Sequence, residues 1–272
     1  MKRREFVKYA SSFALVLANG NILRAVDISP AQWDSRKVRL RFVVASDGHY
    51  GQPETAYEKY HETLVARINE EHAGNSFAFC MINGDIIHDD KKYYPAAKAA
   101  LDKLKLKYYV SQGNHDHVTA SEWESIWNMP VNLDFTINEN TFLIATTSDE
   151  KGTYLCPDVN WMATKLEQHQ QQKNVFIFLH INPGKLTTNA VDSPELFELF
   201  AKYPNVKAVF NGHDHDEEGI KMKNNIPFIF DAHFGGNWGT AYRGFRVVEL
   251  MKDNSIMTYI MNPLDKINAA TI

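Results

Sequence analysis

From about residue 38 onward, apolar and polar positions follow a repeating cycle. A short apolar run ends in a polar break, and a stretch with apolar residues at helical spacing follows. The runs at 41–46, 77–83, 108–112, 175–179 and 206–211 read as strands. Pro53 to Glu71 carries Tyr57, Tyr60, Leu64 and Ile68 at helical spacing, and Pro95 to Leu106 predicts a second helix. Asp158 to Gln172 predicts a third, with Asp158 as N-cap and Trp161 and Leu166 facing inward. Ser193-Pro194-Glu195 opens a fourth, serine as cap and proline in the first turn. Leu133 to Asn138 and Thr141 to Thr147 flank the turn residues Asn138-Glu139-Asn140, a hairpin pattern. The tail repeats it, with runs at 226–232, 245–251 and 256–261 and a turn at Asp253-Asn254. Early β-α-β units with later hairpins predict an α/β fold: a layered α/β/β/α sandwich, two mixed β-sheets flanked by helices. No internal repeat and no Gly/Ser linker divides the span 38–265, which reads as one catalytic domain.

The residues at the ends of the five runs supply the chemistry. They are Asp47-Gly48-His49, Gly84-Asp85, Gly113-Asn114-His115-Asp116, His180 and Gly212-His213-Asp214-His215. In α/β proteins ligands sit outside the carboxyl ends of strands. Carboxylate and amide oxygens with imidazoles, and no thiolate, suit first-row divalent or trivalent metals. Asp47 and His49 are two apart, and residues two apart in a strand share a face, so both side chains can reach one ion. Asp85, with two oxygens, can bridge two ions of the kind used for phosphoryl displacement.

Composition adds limits. Of 272 residues, 44% are hydrophobic and 23% charged, an ordinary globular balance. A formal charge of −4 argues against a general nucleic-acid binder. The first 25 residues differ from the rest: Lys2-Arg3-Arg4-Glu5-Phe6-Val7-Lys8 precedes a short apolar stretch from Tyr9 to Ala18. This layout resembles a twin-arginine export signal, with small residues allowing cleavage after Ala18 or Gly20. Loss of residues 1–20 would remove four basic and one acidic side chain and leave a formal charge of −7. A periplasmic location and a mature chain with no membrane span are therefore expected. Cys80 lies in an apolar run and Cys156 before Pro157; their spacing suggests neither a zinc ribbon nor a redox pair.

Taken together and in order, these five motifs resemble those of the calcineurin-like metallophosphoesterase superfamily, over residues 47 to 215. The segment Tyr242 to Val248 is similar to bacterial members, and the likeness is nearest to exported phosphodiesterases and phosphatases. The resemblance implies two transition ions (Mn, Fe, Zn or Co, divalent or mixed-valence). The first would be held by Asp47, His49, Asp85 and His215, the second by Asp85, Asn114, His180 and His213. It further implies a hydroxide held between the ions that attacks phosphorus in line. His115 would assist the leaving group and Asp116 would orient His115. Purple acid phosphatases carry tyrosine three residues after the bridging aspartate and glycine where His49 stands. Here those positions are His88 and His49, which points away from a tyrosinate-bound ferric site.

The expected partner is a small phosphate ester, with diesters preferred over monoesters. A nuclease of short ends, an exported phosphomonoesterase and an inactive metal-binding protein of the same fold are the alternatives. His88, Asp89 and Asp90 read as a solvated loop, and Lys91 and Lys92 as a solvated face. His61, His72 and His169 read as surface residues on helices. His117, Tyr50, His233 and Trp238 could line a substrate pocket or pack the sandwich edge.

Overall fold

A computed structural model describes residues 37–231 and 233–262, together with three further strands, Ala14–Val16 (β1), Ile22–Arg24 (β2) and Lys266–Thr271 (β14). The arginine pair of the expected signal lies outside the described residues. β1 and β2 pair antiparallel with each other.

Two six-stranded mixed sheets build the body. In the first, Val38–Ala45 (β3), Cys80–Asn83 (β4) and Tyr108–Ser111 (β5) run parallel. Phe245–Met251 (β12), Ile256–Met261 (β13) and β14 continue it antiparallel on the other side of β3. In the second, Asn140–Ala145 (β7), Asn174–Leu179 (β8), Val206–Asn211 (β9) and Ile226–Phe230 (β11) run parallel. Leu133–Ile137 (β6) and Ile220–Lys223 (β10) close its edges antiparallel. The helices are Tyr57–Gly74 (α1), Tyr94–Leu101 (α2), Ala120–Trp127 (α3), Val159–Gln168 (α4) and Pro194–Phe200 (α5).

Side-chain alternation along the strands assigns each residue to a layer. On β3, Phe42 and Val44 face the second sheet, while Val43 and Ala45 face the helices. On β8, Phe176 and Phe178 face inward, while Val175, Ile177 and Leu179 face outward. The inter-sheet core is aromatic: Phe42 stacks on Phe79 at 5.0 Å and meets Phe142, Phe176, Phe178 and Phe210 edge-on. Edge-to-face and offset contacts of this kind add to the burial of apolar area. α1, α2 and α3 cover the outer face of the first sheet through Leu64, Ile68, Leu101 and Trp123. α4 and α5 cover the second through Met162, Leu166, Leu196 and Phe200. Both sheets are thus buried on both faces, which is why their strands read as nearly continuous apolar runs.

Several local expectations change. α1 begins at Tyr57, because the preceding residues form a turn with Glu54 at φ 59°. His61 is buried, not on the surface; its Nδ1 bonds the Tyr57 carbonyl at 2.8 Å, and its ring lies 4.8 Å from both Tyr50 and Phe234. His169 is largely covered and pairs with Asp134 at 2.8 Å. Asp158 does cap α4, accepting from the Trp161 amide at 2.9 Å, but Met162 rather than Trp161 is fully buried. Ser193 makes no cap bond; its hydroxyl faces the Cys156 thiol, and Cys80 and Cys156 are both free. α3 is a helix the apolar spacing does not predict, opened by a capping box of Thr119 and Glu122. No helix among the described residues is long and apolar enough to cross a membrane.

Candidate metal centre

The parallel strands of both sheets deliver their carboxyl ends to one place. Asp47 and His49 follow β3, Asp85 follows β4, and Asn114 and His115 follow β5. His180 follows β8, and His213 and His215 follow β9. Asp47 and His49 do not share a strand face. β3 stops at Ala45, and both residues lie in a loop with positive φ, 60° and 44°. Asp85 at 50° and His213 at 69° share that left-handed backbone, which costs a non-glycine residue of order 1–3 kcal/mol. The surroundings hold it: the Asp47 amide bonds the Gly84 carbonyl at 3.1 Å, the His49 amide the Asp85 carbonyl at 2.9 Å, and the Gly235 amide the Asp47 carbonyl at 2.9 Å.

Two glycines are sterically required here. A Cβ on Gly113 would collide with the Asp85 carboxylate and amide, and one on Gly84 would enter the His180 ring. Gly84 also sits at φ 85°, which side chains rarely adopt.

Two groups of potential ligands result. Asp47, His49 and His215 form one; Asp85, His180 and His213 form the other. Within the first, His49 Nε2 lies 3.0 Å from His215 Nε2, and His215 Nε2 lies 3.1 Å from Asp47 Oδ1. Within the second, His180 Nε2 is 3.1 Å from Asp85 Oδ2. The groups adjoin: Asp85 Oδ2 is also 3.7 Å from His49 Nε2, and Asp47 Oδ1 is 3.9 Å from His180 Nε2. Donors about 2.1 Å from one ion sit roughly 3 Å apart across a right angle, so these spacings suit shared coordination.

Unsatisfied atoms test the fit further. Asn114 Oδ1, His180 Nε2 and His213 Nε2 are buried without a hydrogen-bond partner. The nearest group to His180 Nε2 in the centre is the Asp85 carboxylate, at 3.1 Å. Buried polar atoms are rarely left unpaired, and each orphan costs about 1–3 kcal/mol. Three around two buried carboxylates fit a cation site. Backbone carbonyls also set the imidazoles. His180 Nδ1 bonds Asn83 O at 2.7 Å and His215 Nδ1 bonds Trp238 O at 3.3 Å, leaving Nε2 to face the centre in each.

Electrostatics agree. Burial opposes ionisation of Asp47, yet His215 and His180 hold its carboxylate below the usual range. Asp85 is likewise held down against burial, chiefly by His180. His180 is pushed up to about 10 against burial by Asp85 and Asp47, so the two carboxylates demand a positive charge. Burial pushes His49 and His213 down, which keeps these imidazoles neutral with lone pairs free for an ion.

His115 and Asp116 do not form a pair. The Asp116 carboxylate is buried and accepts from the backbone amides of Ile86 at 3.0 Å, Ile87 at 3.2 Å and Gly113 at 2.8 Å. It staples the β4 and β5 loops together and does not orient the imidazole. His115 Nδ1 instead meets Asp89 Oδ1 at 2.6 Å, while its backbone amide donates to Asp85 Oδ1 at 2.8 Å. Asp89 is exposed, in line with the solvated loop read from sequence, and folds back with φ 62° and an amide bond to the His115 carbonyl at 3.0 Å. His88 also joins the site, its Nδ1 3.1 Å from His49 Nδ1 and its ring stacked on His115 at 4.9 Å. Lys91 and Lys92 are surface residues paired with Glu122 and Asp90. His233 is buried and stacks on His215, and Tyr50 is buried against Tyr57 and His61. His117 is half-buried beside Asp89, at 4.0 Å. Trp238 stacks on His215 at 4.2 Å with 41% of its surface exposed.

Residues 40–217 match the family described as Calcineurin-like phosphoesterase, and the chain belongs to it. Its fold and adjoining ligand groups are those of a metal-dependent phosphoesterase with a dinuclear centre. No curated protein matches the sequence. Among solved structures, a dimetal phosphatase from Danio rerio is similar with a TM-score of 0.66 and 12% identity, over 86% of this chain and 99% of that one. The purple acid phosphatase PPD1 of yellow lupin (Lupinus luteus) is similar at 0.63 and 14% identity, over 95% and 58%. GAP50, the anchor in the inner membrane complex of Plasmodium, is similar at 0.63 and 15% identity, over 87% and 88%. At these identities the likeness is one of fold.

Proposed function

We propose that the protein is an exported, periplasmic hydrolase of small phosphate esters that prefers diesters to monoesters. In this reading Asp47, His49, Asp85 and His215 hold one ion, and Asp85, Asn114, His180 and His213 hold the other. Bound there, two transition ions supply Lewis acidity toward phosphoryl oxygen and make water nucleophilic near neutral pH. The observation that carries the reading is His115, held at Nδ1 by Asp89 beside two groups of candidate metal donors, with Asn114 Oδ1, His180 Nε2 and His213 Nε2 unpartnered. With its Nδ1–H donated to Asp89, His115 keeps Nε2 for the departing oxygen. Asp85 positions the same residue through the His115 amide. Alkoxide leaving groups depend on a proton donor more than nitrophenolate does, so a held imidazole favours esters of poor leaving groups. His88 in place of tyrosine weighs against the purple acid phosphatase type of centre.

A nuclease reading is disfavoured by the acidic balance of the chain. GAP50 is an anchor, so the fold alone does not distinguish enzyme from scaffold. The unpartnered donors favour a bound ion, and His115 held by Asp89 beside them favours a reaction over a metal-binding scaffold. The test is a panel of bis(p-nitrophenyl) phosphate and p-nitrophenyl phosphate with Mn, Zn, Fe and Co added separately. Turnover of the diester, abolished by chelation, with about two metals per chain is expected. A monoester preference of about tenfold in kcat/KM, some 1.4 kcal/mol in the barrier, would reverse the substrate ranking.

Export rests on the arginine pair. Arg3→Lys with Arg4→Lys should leave the precursor in the cytoplasm, because paired arginines are what the twin-arginine route reads. Fractionation showing undiminished periplasmic protein would point to another route.

A further inference from the structure

Among the described residues, the exposed large hydrophobic side chains are Tyr154, Leu155 and Trp238. Tyr154 and Trp238 both lie against the metal centre. Trp238 stacks on His215 at 4.2 Å and 9°, so one indole face is covered, while 41% of the residue stays exposed. It flanks the Asp47 group, and its ring lies 6.4 Å from that of His115. Tyr154 stands edge-on to His213 at 4.8 Å, flanking the Asp85 group, and Leu155 is its chain neighbour.

Both flanks are held in place. Trp238 sits in a loop fixed by the Gln52 side chain on Asn237 at 3.1 Å, Arg243 on the Gly236 carbonyl at 2.6 Å, and the Thr240 amide on the His215 carbonyl at 3.0 Å. Tyr154 bridges Ser148, and the Leu155 amide bonds the Thr147 carbonyl at 2.8 Å. Exposed aromatics that are fixed rather than mobile lose little freedom when a ligand stacks on them. Oxygen and nitrogen donors hold the ions and phosphate binds them through its oxygens, which gives no reason for apolar rings on either side of the centre. Such rings suit the organic substituents of the ester.

We propose that Trp238 and Tyr154 are two apolar subsites for the two substituents of a phosphodiester. Trp238, on the His115 side, takes a planar or aromatic leaving group. Tyr154 takes the substituent that stays on phosphorus. The substrate class is then a diester carrying a planar unsaturated group on one arm and an apolar or aromatic group on the other. This rests on the phosphoesterase reading above.

Three esters with one leaving group separate the flanks: bis(p-nitrophenyl) phosphate, methyl p-nitrophenyl phosphate and p-nitrophenyl phosphate. Trp238→Ala should raise KM about tenfold for all three, with metal content unchanged, and Trp238→Phe should restore most of it. Tyr154→Ala should cut the preference for the bis-aryl over the methyl diester about tenfold in kcat/KM. If Tyr154→Ala changes both diesters equally, or Trp238→Phe fails to rescue while metal is retained, the subsites are refuted. If Trp238→Ala sheds metal, the Trp238→Phe and Tyr154→Ala comparisons still decide. A wild-type protein that hydrolyses none of the three esters refutes the phosphoesterase reading instead. Active wild type with unaltered selectivity in the variants refutes only the subsites.

Discussion

Asp85→Ala should lower metal content from about two ions per chain to one or fewer, and reduce kcat/KM by roughly 10³-fold or more. Asp85 touches both ligand groups and the His115 loop at once. Oδ2 lies 3.1 Å from His180 Nε2 and 3.7 Å from His49 Nε2, so it faces both ligand groups. Oδ1 accepts the His115 amide at 2.8 Å, which ties the acid-bearing loop to the same residue. Truncation removes a donor from both groups and leaves His180 with one buried carboxylate neighbour, Asp47. Elemental analysis with kinetics on the same preparation reads both effects. Full metal content with lost activity would mean that Asp85 positions His115 without bridging ions.

The sequence made this cluster legible because strand ends and residue types can both be read locally. Runs such as Val175 to Leu179 are apolar on both faces because each sheet is covered twice, and a His directly after such a run stands at a carboxyl edge. Within the span 38–261 the four layers and most strands follow from the same reading. What the pattern could not supply is loop conformation. Asp116 adjoins His115 in sequence, and the family resemblance implied that it orients the imidazole. The chain turns at Asp89 with positive φ and brings that carboxylate to the imidazole, while Asp116 points at three backbone amides. His61 differs, because its signal was present. It falls four residues after Tyr57 and seven before Ile68, on the stripe that packs against the sheet, and polar identity outweighed position.

Separate variants at His115, Asp89 and Asp116 should therefore give three different outcomes. His115→Ala should retain both ions and lower turnover by roughly 10²–10⁴-fold, the usual worth of a positioned general acid. The loss should be larger with alkyl leaving groups than with nitrophenolate, which departs with little protonation. Asp89→Asn keeps the shape of the side chain but removes the charge that receives His115 Nδ1–H at 2.6 Å. Turnover should fall about 10–100-fold, as for other outer-shell carboxylates, with metal content and thermal midpoint close to wild type. Asp116→Ala acts on the fold instead. Three buried amides lose their acceptor at once, and each unpaired buried group costs about 1–3 kcal/mol. Its stability in chemical denaturation should drop by several kcal/mol, and metal should be lost with it. The comparison turns on Asp89→Asn and Asp116→Ala. If Asp116→Ala were stable and slow while Asp89→Asn were fully active, His115 would be supported in solution by its sequence neighbour and the Asp89 contact would have no catalytic consequence.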